Sequence, residues 1–280
     1  MQNYLTFKNY VSMWFKKIKM NYKKTILSTS NLSIGYKTKK EANVIAKNLN
    51  LNLEQGKLIT LVGANGIGKS TLLRTLTGIQ KPLSGTVILN EKDIQSFSAL
   101  DLAQNLSLVL TEKLPPSNLT VFELVALGRQ PYTNWLGKLS ASDLQKVNEV
   151  MQLTQIEHLA EKKHHEISDG QLQKVMIARA LAQETSIIIL DEPTTHLDLH
   201  HKVSVFKLLK KLSSETNKCI LFSTHDIDLA IQLSDEMIVM TESSVIQDSP
   251  CHLISKGIFN TLFKDSSITF DGEKGKFVVS

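Results

Sequence analysis

The sequence predicts an α/β fold. A mostly parallel sheet is covered by helices, an antiparallel β part lies on the N-terminal side, and an α-helical subdomain is inserted near the middle. Three observations carry this reading. Short apolar runs alternate with helix-period segments from Leu58 onward. The run Leu58 to Val62 leads straight into a glycine-rich turn and then a helix. The stretch from about 98 to 168 is mostly helical in period and stands between strand-like runs. Alternating β and α segments imply parallel strands, because each crossover helix returns the chain in the same direction.

Taken in order, Leu32 to Tyr36 reads as a short strand. Leu49, Leu51 and Leu53 alternate with polar residues like one half-buried strand. Gln55-Gly56 turns the chain into the strand 58–62. A helix follows over about 69–77, with Gly78 as its C-terminal cap and Pro82 just beyond. Thr86 to Leu89 forms another strand. Within the helical stretch, Thr120-x-x-Glu123 and Ser142-x-x-Gln145 fit capping boxes, and Leu144, Val147, Val150 and Met151 mark one apolar face. Then come a helix (171–182), a buried strand (186–190), a helix (199–213), a strand (219–223), a helix (227–233), and strands near 237–240 and 245.

Composition sets outer bounds. The 280 residues suffice for one large domain, and 42% hydrophobic with 21% charged content is ordinary for a globular chain. No apolar run approaches the ~18 residues that cross a bilayer, and no signal peptide is evident. Two cysteines, Cys219 and Cys251, are too few for a disulfide framework and fit a reducing compartment. The net charge of +5 is uneven: nine lysines and no acid precede Glu41, leaving residues 41–280 about −4. A nucleic-acid partner is therefore not expected. Residues 1–24 form a basic extension in which Trp14, Phe15, Ile18 and Tyr22 share a helical face among lysines. Either an interfacial segment on anionic lipid or a poorly ordered leader fits, and the second is preferred.

Two motifs carry chemistry. Gly63-Ala64-Asn65-Gly66-Ile67-Gly68-Lys69-Ser70 fits G-x-x-x-x-G-K-[ST], in which backbone N–H groups, a lysine and a helix N-terminus surround phosphates. It marks a P-loop NTPase core. Ile187 to Leu190 is an apolar strand ending in Asp191 and Glu192, at the sheet edge where open α/β folds bind ligands. Asp191 there can hold Mg²⁺ through water while Ser70 ligates it directly, and Glu192 can polarise an attacking water.

Further motifs complete a pattern. Ser168-Asp169-Gly170-Gln171 precedes a helix, followed by Asp191-Glu192-Pro193-Thr194, Leu197-Asp198 and Ser223-Thr224-His225-Asp226. This order resembles the ATP-binding-cassette ATPases over residues 27–270, within an ATPase domain of 25–280. The resemblance implies ATP and Mg²⁺ as ligands. It implies that Tyr36 stacks on adenine and that Gly63, Asn65, Gly66, Gly68, Lys69, Ser70 and Thr71 hold the phosphates. It implies that Glu192 and His225 serve catalysis. Ser168, Asp169, Gly170 and Gln171 match the signature loop, which acts on nucleotide bound by a second subunit, so a head-to-tail homodimer with two shared sites, or a pairing with a close relative, is implied, and the homodimer is expected. Asp198 matches the residue linking those sites.

Two positions depart from the family. Asp169 stands where glycine is usual, so its carboxylate must point away from a γ-phosphate or be offset by the helix start. The usual sensor glutamine is missing. Its place falls at Thr111, with Glu112 beside it, and both are sensor candidates. His196, His200 and His201 suggest a metal site, but no acid completes a set at suitable sequence spacing, so solvated or dimer-facing histidines are expected. The run Lys162-Lys163-His164-His165 reads as surface.

Two functional classes compete: the energy-coupling subunit of a transporter, and a cassette ATPase acting on nucleic acid or ribosomes. One cassette per chain and no coiled-coil insertion favour transport. With no membrane helix, the permease is a separate polypeptide. The segment Leu119 to Tyr132, followed by Trp135-Leu136-Gly137, resembles ATPases of iron–siderophore, haem and cobalamin importers. That implies work at the cytoplasmic face of a bacterial inner membrane with a periplasmic binding protein. Arg129, Tyr132 and Trp135 are interface-anchor candidates, with core packing as the other reading of Trp135.

Overall fold

The antiparallel part is built on one long strand. In the computed structural model, which describes residues 24–37, 42–110, 117–262, 268–272 and 274–279, β1 (Thr25–Lys37) runs well beyond the expected 32–36. β2 (Ala42–Leu49), β3 (Asn52–Glu54) and later β5 (Ser84–Leu89) all pair antiparallel with it. The alternation of Leu49, Leu51 and Leu53 is real, since all three are buried. It spans two strands, broken at Asn50 and Leu51, not one. β6 (Lys92–Asp93) closes the edge beside β5.

β4 (Leu58–Gly63) starts the second sheet. Its strand order is β11-β10-β4-β9-β8-β7, comprising β7 (Leu106–Val109), β8 (Ile187–Leu190), β9 (Cys219–Ser223), β10 (Glu236–Met240) and β11 (Val245–Asp248). All neighbours are parallel except the antiparallel β10–β11 pair. Period-two alternation serves two cores at once. Ile187 and Ile189 face the cluster under the antiparallel sheet, while Ile188 and Leu190 face the helical side. Each such fully buried side chain is worth about 1.5–3 kcal/mol. The strand end before Asp191 is thus held from both faces.

Helices α1 (Lys69–Leu76) and α2 (Ala99–Asn105) precede β7. The insertion then carries α3 (Val121–Ala126), α4 (Ala141–Leu153) and α5 (Asp169–Ala182). Because β7 belongs to the main sheet, the purely helical stretch begins after it, later than 98. α6 (Leu199–Glu215), α7 (Ile227–Leu233) and α8 (Pro250–Ser255) follow, and a hairpin of β12 (Ile268–Asp271) and β13 (Lys276–Val279), not expected from the sequence, comes last. No helix among the described residues is long and apolar enough to cross a membrane.

Local expectations fare unevenly in the insertion. The Thr120–Glu123 capping box is present, with the Glu123 carboxylate accepting from the Thr120 N–H at 2.8 Å. The second box is formed by Ser140 and Asp143, two residues before Ser142 and Gln145. Val147, Val150 and Met151 are buried, but Leu144 is 40% exposed. His164 is buried under a turn, with Nδ1 3.4 Å from the Ser117 hydroxyl, so the 162–165 run is only partly surface. The basic extension 1–24 lies outside the described residues up to Lys23.

Candidate active site

Parallel register gathers the chemistry at one sheet edge. β9 lies between β4 and β8, with Leu61 opposite Ser223 and Leu190 opposite Phe222. The chain leaving β4 (Gly63 to Ser70), the chain leaving β8 (Asp191, Glu192) and the chain leaving β9 (Thr224, His225, Asp226) therefore emerge side by side. The end of β7 joins them, since the Asp191 N–H donates to the Val109 carbonyl at 2.9 Å. Thr111 and Glu112 follow two and three residues later, outside the described residues.

The glycine turn makes an anion cradle. Gly66 (φ +75°) and Gly68 (φ +110°) take left-handed backbone that a side chain would strain. A Cβ at Gly68 would stand 2.3 Å from Ile45. Gly68 caps α1 without any side-chain hydrogen bond, so the helix's first N–H groups stay available. Lys69 is only 5% exposed, and its Nζ donates to the Gly63 and Ala64 carbonyls at 3.0 and 3.3 Å. Burial lowers its pKa, and the Glu192 and Asp191 carboxylates partly counter this. A buried ammonium over a ring of backbone donors is a site for a polyanion. Tyr36, half exposed, reaches the same helix start: its hydroxyl lies 2.9 Å from the Thr71 hydroxyl.

Ser223, buried and not singled out from the sequence, organises the acids. Its hydroxyl donates to Asp191 Oδ1 at 2.6 Å and accepts the Glu192 N–H at 2.8 Å. Glu192 itself has φ +47°, a left-handed conformation costly for a non-glycine residue. Its Oε2 accepts from the Thr195 hydroxyl at 3.1 Å and its Oε1 lies 2.8 Å from His225 Nε2. Asp226 takes hydrogen bonds from Thr194 (3.0 Å) and Lys202 (2.7 Å), tying the loop after β9 to α6. The signal for Ser223 was its place as the last residue of a strand already expected. A hydroxyl (Ser70) and a carboxylate (Asp191) at this edge are hard oxygen donors, which suit Mg²⁺.

Ser168 stands apart, capping α5 with a full box: its Oγ accepts the Gln171 N–H at 3.3 Å and Gln171 Oε1 accepts the Ser168 N–H at 3.0 Å. The helix begins at Asp169, two residues earlier than expected, so Asp169, Gly170 and Gln171 form its first turn. Asp169 is exposed there. Gly170 is buried, and a Cβ on it would stand 2.4 Å from the His201 ring. Among the described residues no hydrogen bond joins this turn to the phosphate cradle of the same chain. Asp198 caps α6, its Oδ1 accepting from the His201 N–H and lying 2.8 Å from His201 Nδ1. Those bonds hold its pKa below the usual carboxylate range. The expectation that no acid completes a histidine set is corrected: Asp198 joins His200 and His201 in space.

Arg129 is not an exposed anchor. Its guanidinium is buried, donating to Asp143 (2.8 Å), Glu184 (2.6 Å) and the Ala182 carbonyl (2.7 Å), with the Tyr132 ring 4.2 Å away. Trp135 is 91% exposed, which excludes core packing.

An α/β fold with a phosphate cradle, paired acids and a histidine at one sheet edge defines a nucleoside-triphosphate hydrolase. Residues 46–195 match the family model described as ABC transporter. The chain is 40% identical to an uncharacterized ABC transporter ATP-binding protein of Methanocaldococcus jannaschii, over 90% of this chain and 86% of the relative. It is 37% identical to the iron(3+)-hydroxamate import ATP-binding protein FhuC of Bacillus subtilis, over 89% and 92%. Among solved structures it is similar to a metal-chelate type ABC transporter in an inward-facing conformation (TM-score 0.76, 27% identity, covering 91% and 96%). It is also similar to a dimeric ATP-binding cassette bound to ADP and phosphate (TM-score 0.68, 29% identity, covering 80% and 99%). The chain belongs to the ABC transporter family, as an ATP-hydrolysing subunit that powers a separate membrane permease.

Proposed function

We propose that this chain powers import of an iron–siderophore complex, haem or cobalamin. It does so as a homodimer on the cytoplasmic face of a bacterial inner membrane, with a permease supplied by a periplasmic substrate-binding protein. Ferric siderophore is favoured, because FhuC is named for iron(3+)-hydroxamate import and the similar YusV of Bacillus subtilis for a probable siderophore transport system. The observation that carries the catalytic half is the convergence of the cradle, Asp191–Glu192 and His225 at one edge of a parallel sheet.

Tyr36 faces adenine. Gly63, Asn65, Gly66, Gly68, Lys69, Ser70 and Thr71 hold the phosphates. Ser70 and, through water, Asp191 would hold Mg²⁺, which would supply positive charge against the phosphates. Glu192 polarises the attacking water and His225 contacts the γ-phosphate. Thr111 takes the sensor role, with Glu112 beside it. Ser168 and the first-turn N–H groups at Asp169 and Gly170, with Gln171 closing the capping box, meet the γ-phosphate held by a second copy. Asp169 is exposed on that first turn, where its carboxylate points away from the phosphate or is offset by the helix start. Asp198 links the two sites. ATP closes the dimer through contacts available only in the closed state, and hydrolysis releases it.

Two measurements test this. Lys69→Ala should abolish retention of labelled ATP; retention at wild-type level ends the nucleotide assignment. Co-expression with a candidate permease in vesicles should give ATP-dependent uptake of a ferric siderophore. Uptake of haem or cobalamin instead moves the cargo, and no co-purification with any permease ends the transport reading.

A further inference from the structure

Asp198 and the first turn of α6 offer metal-binding chemistry that nucleotide hydrolysis does not use. One ligand atom each from Asp198, His200 and His201, a carboxylate oxygen and two ring nitrogens, lie within 4.8 Å of one another. Among the described residues, no other group of three His, Cys, Asp or Glu side chains reaches this spacing. The side chains are open to solvent, Asp198 at 67% and His201 at 43% exposure, so an ion has a path in and water can complete its shell.

The orientations are favourable. The Cδ2 edge of the His201 ring faces Gly170, 2.4 Å from where a Cβ there would be, and Nδ1 is the ring nitrogen beside Asp198. Nδ1 already lies 2.8 Å from Asp198 Oδ1. Asp198 Oδ2 makes no hydrogen bond among the described residues. The His200 ring sits edge-on to His201, with centroids 5.6 Å apart. Zinc–nitrogen and zinc–oxygen bonds of about 2.0–2.2 Å place neighbouring ligand atoms about 3.3 Å apart. Small rotations of these exposed rings bridge the difference. The α6 N-terminus contributes about half a positive charge against a cation, and the Asp198 carboxylate offsets it.

We propose that Asp198, His200 and His201 bind one late first-row divalent cation of the Zn²⁺, Ni²⁺ or Cu²⁺ class. Two imidazoles and one carboxylate select these over Mg²⁺, which prefers oxygen ligands and keeps its waters. The ion takes the position now occupied by the Asp198–His201 hydrogen bond, with the His201 proton carried on Nε2. On the proposed function, in which Asp198 links the two sites of the closed dimer, the ion and ATP-driven closure oppose each other.

The test uses the full chain in excess Mg²⁺, titrated calorimetrically with Zn²⁺ at free concentrations set by a chelator buffer. One site per chain is expected. His200→Gln and His201→Gln should each weaken binding by more than about tenfold, since a lost ligand costs at least as much as a lost supporting contact. His196→Gln should leave it unchanged. Cu²⁺ on the same protein should show nitrogen superhyperfine splitting that falls from two nitrogens to one in His200→Gln. Unchanged Zn²⁺ affinity and unchanged Cu²⁺ spectra in both variants overturn the site. Repeating the titration on Glu192→Gln with ATP should lower Zn²⁺ affinity, by the same factor that Zn²⁺ lowers ATP-driven association. Zn²⁺ affinity that depends on His200 and His201 but not on ATP overturns the opposition to closure and leaves the metal site standing, while absence of ATP-driven association in Glu192→Gln counts against the sandwich dimer itself.

Discussion

His225 Nε2 lies 2.8 Å from Glu192 Oε1, while the Thr195 hydroxyl donates to Glu192 Oε2 at 3.1 Å. Both oxygens of the carboxylate proposed to act on water are therefore engaged in this state. Turning His225 toward a γ-phosphate would free Oε1 for the water. On the proposed roles, a single histidine would then report nucleotide and release the base in one movement.

Glu192→Gln removes the carboxylate charge and keeps the shape. We expect ATP affinity to stay within a few-fold and turnover to fall about 10²–10⁴-fold, the usual worth of a general base. Dimers should accumulate with ATP, visible by size-exclusion chromatography. Wild-type turnover in this variant would remove Glu192 from the reaction.

Ser223→Ala tests the hydroxyl that spans both acids. Ser223 has no solvent exposure, and the substitution strands the Glu192 N–H and removes one hydrogen bond from Asp191 Oδ1. A buried donor left without a partner costs about 1–3 kcal/mol. Glu192, already at φ +47°, loses the bond that holds its backbone there. We expect lower thermal stability together with a drop in turnover larger than any change in ATP affinity. A stability loss with unchanged turnover per folded molecule would make Ser223 purely structural.

The legible parts of this molecule share one physical cause: local pattern and final burial agree. Cys219–Ser223 was readable to the residue because an apolar run, flanked by polar residues, fills a central strand. The cradle was readable because only glycine tolerates the backbone at Gly66 and Gly68. Failures came where distant groups decide. Both Ser140 and Ser142 stand three residues before a carboxyl or amide side chain, and helix start alone chooses between them. Arg129 looked like an interface anchor because its partners Asp143 and Glu184 are 14 and 55 positions away. Asp198 meets His200 and His201 only because the chain turns into α6 between them. Ser223's double role needs the β8–β9 adjacency, which no local window contains.

Trp135 and Leu136 are 91% and 66% exposed in the turn between α3 and α4. A bare indole in water invites a partner. Trp135→Ala should leave the unfolding free energy within about 0.5 kcal/mol and the ATPase rate of the isolated chain unchanged. Co-purification with the permease should weaken. Equal permease capture by both proteins would place the docking surface elsewhere.

The ion pairs of Arg129 make stability depend on acid. Hydrogen bonds from the Ser140 side chain and backbone, then the Arg129 guanidinium, hold Asp143 below the usual carboxylate range. Burial alone would raise Glu184, but bonds from Arg129 and Lys146 outweigh it and lower its pKa too. A carboxylate depressed in the folded state contributes stability above its unfolded pKa, about 4, and loses it as pH falls through the folded value. Asp143→Asn should therefore be less stable than wild type at pH 7, with the gap narrowing steadily below about pH 4. Arg129→Ala should be worse, by about 3–5 kcal/mol, because it leaves the buried Asp143 carboxylate without its cation. Urea unfolding at pH 7, 5 and 3.5 checks both. A gap for Asp143→Asn that stays constant across that range would show that Asp143 contributes by packing and capping, not by charge.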